Sequence, residues 1–549
     1  MVKLFLGSTS GGHAKMLVAG ILLLMLLTNG FNVINSYVGR YFMSSIERRD
    51  WAGFSHYAWL YTGVFGMQTV VAVFFRFTEE RLGLHWREWL TKRVIRGYID
   101  KRIYLHLEEI GSVSNPDQRM SEDVRALTNS TLSFALMFIN GTMTAISFSG
   151  VLWSISPSLF AVAVLYAAAG STITIFFGKP LVKLNYQQSD FEANFRSELI
   201  RMRDHAEGIA LTGSESFTRD RLLSRVDAFV ANFRRIIAVN RNLGFFTTGY
   251  NYLIQLIPVL LVAPLFMSHG VEFGIIGQSA MAFAALLGAF SLVVTQFQSI
   301  SAYASVVARL GEFVDAVADA SERNEASCIG CETQSDHFRF QDLTLHSIHG
   351  EPRTLVHQLN AAFLPGTSVC VTGPNEAGRH ALFRACAALY EAGTGTIVRP
   401  PAESIAFLPE QPYLPPSTLI QLLQPTDSDL VDLKEAIRQV LAELGLSRML
   451  NKHDGFEQER PWDEILSFEE RQLLAVARIV LSKPFYVLMD RMGSALSIAA
   501  KYRVHKLLAE RGITRIQFSR NLPDPMLHDA SLELHEDGSW TWADLRPSN

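Results

Sequence analysis

The chain has 549 residues, 48% of them hydrophobic, with a formal charge of −4 and four cysteines. That length exceeds one ordinary domain, so two or more are expected. The near-neutral charge gives no support for nucleic-acid binding, and the cysteines are too few for a disulfide framework.

Mean hydropathy is +0.15, high for a soluble protein, and the apolar residues concentrate in the first 310 positions. Lys3 is followed by an apolar run from Met16 to Leu27 that continues to Val38 without a small-residue cleavage site. It reads as a retained membrane span rather than a secretory signal. Crossing the hydrocarbon core as a helix takes about 20 mostly apolar residues. Six stretches meet that length: 14–37, 56–77, 129–154, 157–177, 243–268 and 272–300. Charges are nearly absent inside them, as their cost in hydrocarbon requires. The turns at Ser156-Pro157 and Ser268-His-Gly270 make two tight hairpins.

Two long loops, 78–128 and 178–242, carry helical patterns rich in Arg and Lys, whereas the opposite side offers Arg40, Arg48 and Arg49. This asymmetry predicts that the loops, both termini and everything C-terminal to the spans face the cytoplasm. The carboxylates Glu47, Glu79, Glu80, Glu207 and Glu272 fall at or near span ends and read as loop or interface residues, with Glu79 and Glu80 the first to test as proton carriers.

The sixth span is expected to run on as a polar helix to Ala320, and 321–335 is expected to be a linker. Cys328-Ile-Gly-Cys331 lies in it without a second ligand pair, so two unremarkable thiols are expected there. From Phe338 the pattern changes to a soluble α/β domain spanning 336–549. Strands are predicted at Thr367–Thr372, Ser404–Leu408, Phe485–Met489 and Arg515–Phe518. They alternate with helices at Arg379–Tyr390, Ser467–Leu481 and Ala499–Arg511, which implies a mostly parallel sheet covered on both faces.

Between the first of those strands and its helix stands Gly373-Pro-Asn-Glu-Ala-Gly-Arg-His380, followed by Ala381. It has the frame of a phosphate-binding loop, in which backbone N–H groups converge on phosphate at a helix N-terminus. Candidate contacts are Gly373, Asn375, Gly378, Arg379, His380 and Ala381. Phe485-Tyr-Val-Leu-Met-Asp490 has the form of a Walker B strand, with Asp490 the candidate magnesium ligand. Leu466-Ser-Phe-Glu-Glu-Arg-Gln-Leu473 then opens a helix reading Leu474-Ala-Val-Ala-Arg478.

Leu466–Arg478, Asp490 and Ser494-Ala-Leu496 together resemble the nucleotide-binding domain of ATP-binding cassette (ABC) transporters. The six-span region is similar to the membrane domain of SbmA/BacA-like and peroxisomal (ABCD-type) transporters. That likeness is carried by Arg49-Asp-Trp51, Trp86-Arg-Glu-Trp-Leu-Thr91, Asn115-Pro-Asp-Gln-Arg119, Asn194-Phe-Arg196, Met202–Ala210 and, in the soluble half, Phe407–Leu414. The resemblance implies an all-α six-helix transmembrane domain over 1–320, of the type IV exporter kind with long cytoplasmic helical extensions. An α/β P-loop NTPase-like cassette follows it.

Six positions depart from the family pattern. Arg379 replaces the phosphate-loop lysine and His380 its magnesium-binding hydroxyl, although imidazole is a poor ligand for that hard cation. Glu410 stands at the Q-loop glutamine, with Gln411 next to it. Glu469 replaces the signature glycine, Arg491 the Walker B glutamate and Arg520 the switch histidine. Asp490, the glycines and the Ser467 hydroxyl remain. Losing one general base typically costs ~10²–10⁴-fold in rate, so the expectation is a cassette that holds ATP weakly or not at all, with little magnesium affinity and no catalytic residue intact.

By resemblance the chain is a half-transporter in a bacterial inner membrane. It would move a peptide, cobalamin-like or fatty-acyl solute as a homodimer or beside an ATP-competent partner. A proton-driven SbmA-like homodimer and a non-transporting regulatory subunit are the alternatives.

Overall fold

The computed structural model describes residues 2–545, apart from 9–10, 112, 114–115, 269–270, 293–295, 326–328, 334–336, 349–352, 424–429, 453–455 and 493–495. Asn115, the His269-Gly270 turn, Cys328 and Ser494-Ala495 therefore lie outside the described residues. The chain divides into two compact units, Met1–Glu322 and Arg323–Asn549.

The first unit is helical. Its long helices are α1 (Gly11–Glu47), α2 (Trp51–Ile99), α3 (Val124–Ile155), α4 (Pro157–Asp204), α5 (Glu215–Met267), α6 (Gly274–Phe290) and α7 (Phe297–Glu325). Asp50 caps α2 by accepting from the N–H groups of Ala52 and Gly53, each at 3.1 Å. The extended Ser156 and Pro157 at the first position of α4 make the tight turn expected there. The apolar stretches of α1 to α5 lie in helices long and apolar enough to cross a membrane. Within the expected sixth span the structure describes α6, an apolar helix of 17 residues that falls below that length, and the start of α7 at Phe297. The basic stretches expected as loops are continuous with the spans, since α2 and α4 run on to Ile99 and Asp204.

Several polar groups inside this bundle pair across helices, as an apolar solvent favours. The Asn29 amide donates to Asn140 Oδ1 at 2.8 Å and accepts from the Thr144 hydroxyl at 2.9 Å, joining α1 to α3. Glu272 bridges to Arg40 at 3.2 Å and Arg48 at 3.1 Å. Buried Asp123 accepts from Arg309 at 2.6 and 2.9 Å, fixing the start of α3 to α7. Glu80 forms an exposed pair with Arg76, while Glu79 lines two cavities between the helices.

The second unit contains ten described strands: β1 (Ile329–Thr333), β2 (Phe338–His346), β3 (Thr354–Phe363), β4 (Ser368–Thr372), β5 (Gly393–Arg399), β6 (Ile405–Leu408), β7 (Tyr486–Asp490), β8 (Thr514–Phe518), β9 (Ala530–Leu534) and β10 (Trp540–Asp544). The principal sheet runs β10-β9-β4-β8-β7-β6 and is parallel except for the β10–β9 pair. Helices α8 (Glu376–Cys386), α9 (Leu430–Glu443), α10 (Phe468–Ser482) and α11 (Ile498–Glu510) accompany it. Their apolar residues form two cores. Leu474, Val487 and Val504 belong to one, and Phe340, Leu382 and Phe518 to the other.

A second sheet, β1-β5-β2-β3, was not foreseen. Its β1 lies inside the stretch expected to be linker and pairs in parallel with β5. The predicted Arg379–Tyr390 helix in fact begins at Glu376 and ends at Cys386, because Asn375 supplies its cap and Ala388 turns left-handed at φ 51°.

Candidate nucleotide-binding site

The buried strand β4 is followed by Gly373, whose φ is +111°. A side chain there would be strained, and its Cβ would sit 2.2 Å from the Leu534 carbonyl oxygen, so only glycine fits. Asn375 then caps α8: its Oδ1 accepts from Gly378 N–H at 2.8 Å, and its amide donates to the carbonyls of Leu355 and His535 at 2.7 and 2.9 Å. Gly378 lies against this side chain, and Ala381 is buried in the core without a functional group. The Asn375 side chain thus holds the loop in shape, and the Ala381 side chain packs into the core.

The charged residues of the loop are turned toward one another. The buried Arg379 donates from Nη1 to the carbonyl oxygen of Gly373, folding the guanidinium back over its own loop. Burial pulls its pKa below the ordinary arginine value, against the attraction of Glu376. Glu376 accepts from Arg491 Nη2 at 2.6 Å and from Arg520 Nη2. The Arg520 hydrogen bond, and then the charge of Arg491, hold the Glu376 carboxyl below the usual carboxylate range. The other arm of Arg491 reaches Glu410 Oε2 at 3.1 Å. Arg491 itself is left-handed at φ 45°, and its N–H donates to Phe518 O at 2.9 Å.

One network therefore joins the phosphate loop, the residue after the Walker B strand, the Q-loop position and the switch position. Three of its four members are altered residues identified from sequence. The fourth, Glu376, was not singled out from sequence. An acid within a loop that should receive phosphate was the available signal.

Asp490 ends β7 half-buried, and burial raises its carboxyl above the usual range while Arg491 and His380 pull the other way. His380 is exposed and Gln411 is exposed. Ser467 caps α10 in a capping box with Glu470: its hydroxyl accepts from Glu470 N–H at 3.3 Å, and its own N–H donates to Glu470 Oε2 at 2.9 Å. Glu469 is drawn away to the start of α11, accepting from the Ser497 hydroxyl at 3.2 Å. Gln472, fully buried on α10, donates to the carbonyls of Pro409 and Glu410 and so fixes the Q-loop strand end. That role was also missed from sequence.

Asp490 is a single oxygen ligand beside an imidazole, and the loop's guanidinium and the acid next to it already satisfy internal partners. Among the described residues no cluster of three metal-ligating side chains occurs.

A family model for ABC transporter transmembrane region 2 matches residues 1–267. An uncharacterized ABC transporter ATP-binding protein of Synechocystis is 33% identical over 542 residues, covering 95% of this chain and 81% of that protein. ABC transporter D family member 2, chloroplastic, of Arabidopsis thaliana is 32% identical over 589 residues, covering 95% and 83%. The human lysosomal cobalamin transporter ABCD4 is 24% identical over 534 residues, covering 90% and 87%. Similarity of that extent, running through the apolar helices and the α/β unit alike, makes this chain a membrane protein of the ABC transporter family.

Proposed function

We propose that the chain is a half-transporter whose cassette hydrolyses no ATP on its own and which moves an amphipathic solute as one half of a dimer. The observation that carries this reading is Arg491. It stands where a water-polarising carboxylate belongs and is held by Glu376 and Glu410 at 2.6 and 3.1 Å. A cation in that place cannot take a proton from water, and the acid that anchors it stands where phosphate charge would have to enter.

The membrane unit supports the transport half of the reading, because its buried polar pairs and ion pairs are intact where the cassette's chemistry is not. Residues 1–320 are the membrane domain and 336–549 the cassette in this reading, and the 321–335 connection lends β1 to the cassette's second sheet. The Lys/Arg excess of 78–128 and 178–242 favours a cytoplasmic cassette in a bacterial inner membrane. A relative named a cobalamin transporter supports cargo of the amphipathic class.

The test is phosphate release by the purified full-length chain in lipid nanodiscs, with magnesium and ATP. Release at the level of protein-free discs is expected. Sustained magnesium-dependent turnover that vanishes on Asp490→Asn would overturn the reading.

A further inference from the structure

A cavity of about 580 Å³ lies in the first unit between α4, α5 and α6. Its wall is mostly apolar, with Ile254 and Leu287 among the residues that form it. Neutral hydrogen-bonding side chains interrupt that wall: Ser171 and Thr174 from α4, Asn240, Thr247 and Asn251 from α5, and Ser291 just past α6. None of the described residues that line it is charged. Lys179 and Arg241 neighbour lining positions in sequence but do not line the cavity.

One end is shaped by two tyrosines. The Tyr250 ring, which lines the cavity, stacks on Tyr166 with centroids 4.4 Å apart and planes 11° from parallel. The Tyr166 hydroxyl donates to the Tyr250 carbonyl at 2.8 Å and locks the pair. Gly170 makes this possible, since a Cβ there would fall 2.3 Å from the Tyr250 ring.

The volume is that of a small-molecule site, which typically spans about 300–1,000 Å³ and combines apolar walls with a few polar groups. An ion placed in it would lose part of its water and gain no counter-charge from the lining residues. An uncharged molecule with an aromatic or alicyclic body and a hydroxyl or amide would find stacking and hydrogen bonds at once.

We infer that this cavity is a binding site for an uncharged amphipathic small molecule, and that it selects against carboxylates and phosphates. The assignment as cargo site rests on the transport reading; the binding itself does not. Among the solute types expected from the family resemblance, it favours neutral ones over fatty-acyl compounds carrying anionic head groups.

The experiment uses the full chain in nanodiscs and two fluorescent probes of one skeleton, the neutral phenylnaphthylamine and the anionic anilinonaphthalene sulfonate. Signal above that of protein-free discs is titrated. Gly178 and Gly288 both line the cavity, and a Cβ at either meets nothing within 4 Å, so Gly178→Leu and Gly288→Leu fill the space without a backbone clash. Gly150→Leu on α3 is equally unobstructed and serves as the control.

Saturable binding of the neutral probe is expected, weakened at least tenfold by each filling variant and unchanged by Gly150→Leu, with the sulfonate failing to compete. Equal binding of the sulfonate, or neutral-probe binding indifferent to both filling variants, overturns the inference. Because the readout is binding, probe capture without any solute flux would count against the transport reading and leave the site standing.

Discussion

Glu376 accepts from Arg491 and Arg520, and it does so at the mouth of a loop whose backbone is still shaped for phosphate. On the proposed reading its carboxylate takes the electrostatic place of a phosphate and competes with any other anion for the neighbouring arginines. Neutralising it should release them. Glu376→Gln is expected to raise the affinity for a fluorescent ATP analogue several-fold over the unmodified chain, with no gain in hydrolysis because Arg491 remains. Arg491→Glu has the opposite sign: it would set a fourth carboxylate beside Glu376, Glu410 and Asp490 and weaken anion binding further. Equilibrium titration of both variants decides the matter. Unchanged affinity in Glu376→Gln would show that the network is not what closes the site.

The elements that hold the cassette together carry a separate pH dependence. His505 on α11 meets His528 edge to face with centroids 5.3 Å apart. His505 Nε2 bonds Gln517 Oε1 at 2.9 Å, and His528 Nδ1 bonds the Ser368 hydroxyl at 3.2 Å. Burial first, then neighbouring positive charge, holds each pKa down to about 4. Both rings are therefore neutral when folded and protonated near pH 6.5 when unfolded, so the unfolded state binds more protons between those values. Stability is complete above about pH 7 and falls as pH drops toward 4, by up to ~3 kcal/mol per ring. Melting temperatures of the full chain between pH 7.5 and 5 should decline, and His505→Gln should flatten the decline. A melting temperature independent of pH over that range would remove the histidine pair as the cause.

The same elements mark how far local pattern reaches. Strands β4, β6, β7 and β8 were legible as short apolar runs, and α10 and α11 as helical stretches over Ser467–Leu481 and Ala499–Arg511. The sheet β1-β5-β2-β3 was not, because β2 mixes charged and apolar residues across bulged pairings that only its partners stabilise. The altered positions 379, 380, 410, 469, 491 and 520 were each visible as departures from a motif. Their mutual pairing was not, since Arg491 and Arg520 lie 115 and 144 residues from Glu376 and nothing local specifies the contact.

For the whole molecule, the proposed reading pairs a cassette whose charged residues are internally paired with a second half that supplies turnover. The capping box that orders α10 keeps Ser467 at the helix start, and Glu469 is held aside by Ser497 rather than projecting freely. A partner's nucleotide approaching that helix would meet its N-terminal N–H groups, which favour anions whatever the state of this chain's own phosphate loop. Hydrolysis in a complex with an ATP-competent relative should therefore depend on one cassette. Asp490→Asn in this chain is expected to leave the ATPase rate of the purified complex within about twofold, since loss of a working catalytic group typically costs ~10²–10⁴-fold. Substitution of the phosphate-loop lysine in the partner should abolish that rate. A fall of tenfold or more on Asp490→Asn, with the melting temperature unchanged, would mean that this chain's site turns over after all and that its arginines rearrange once a partner is bound.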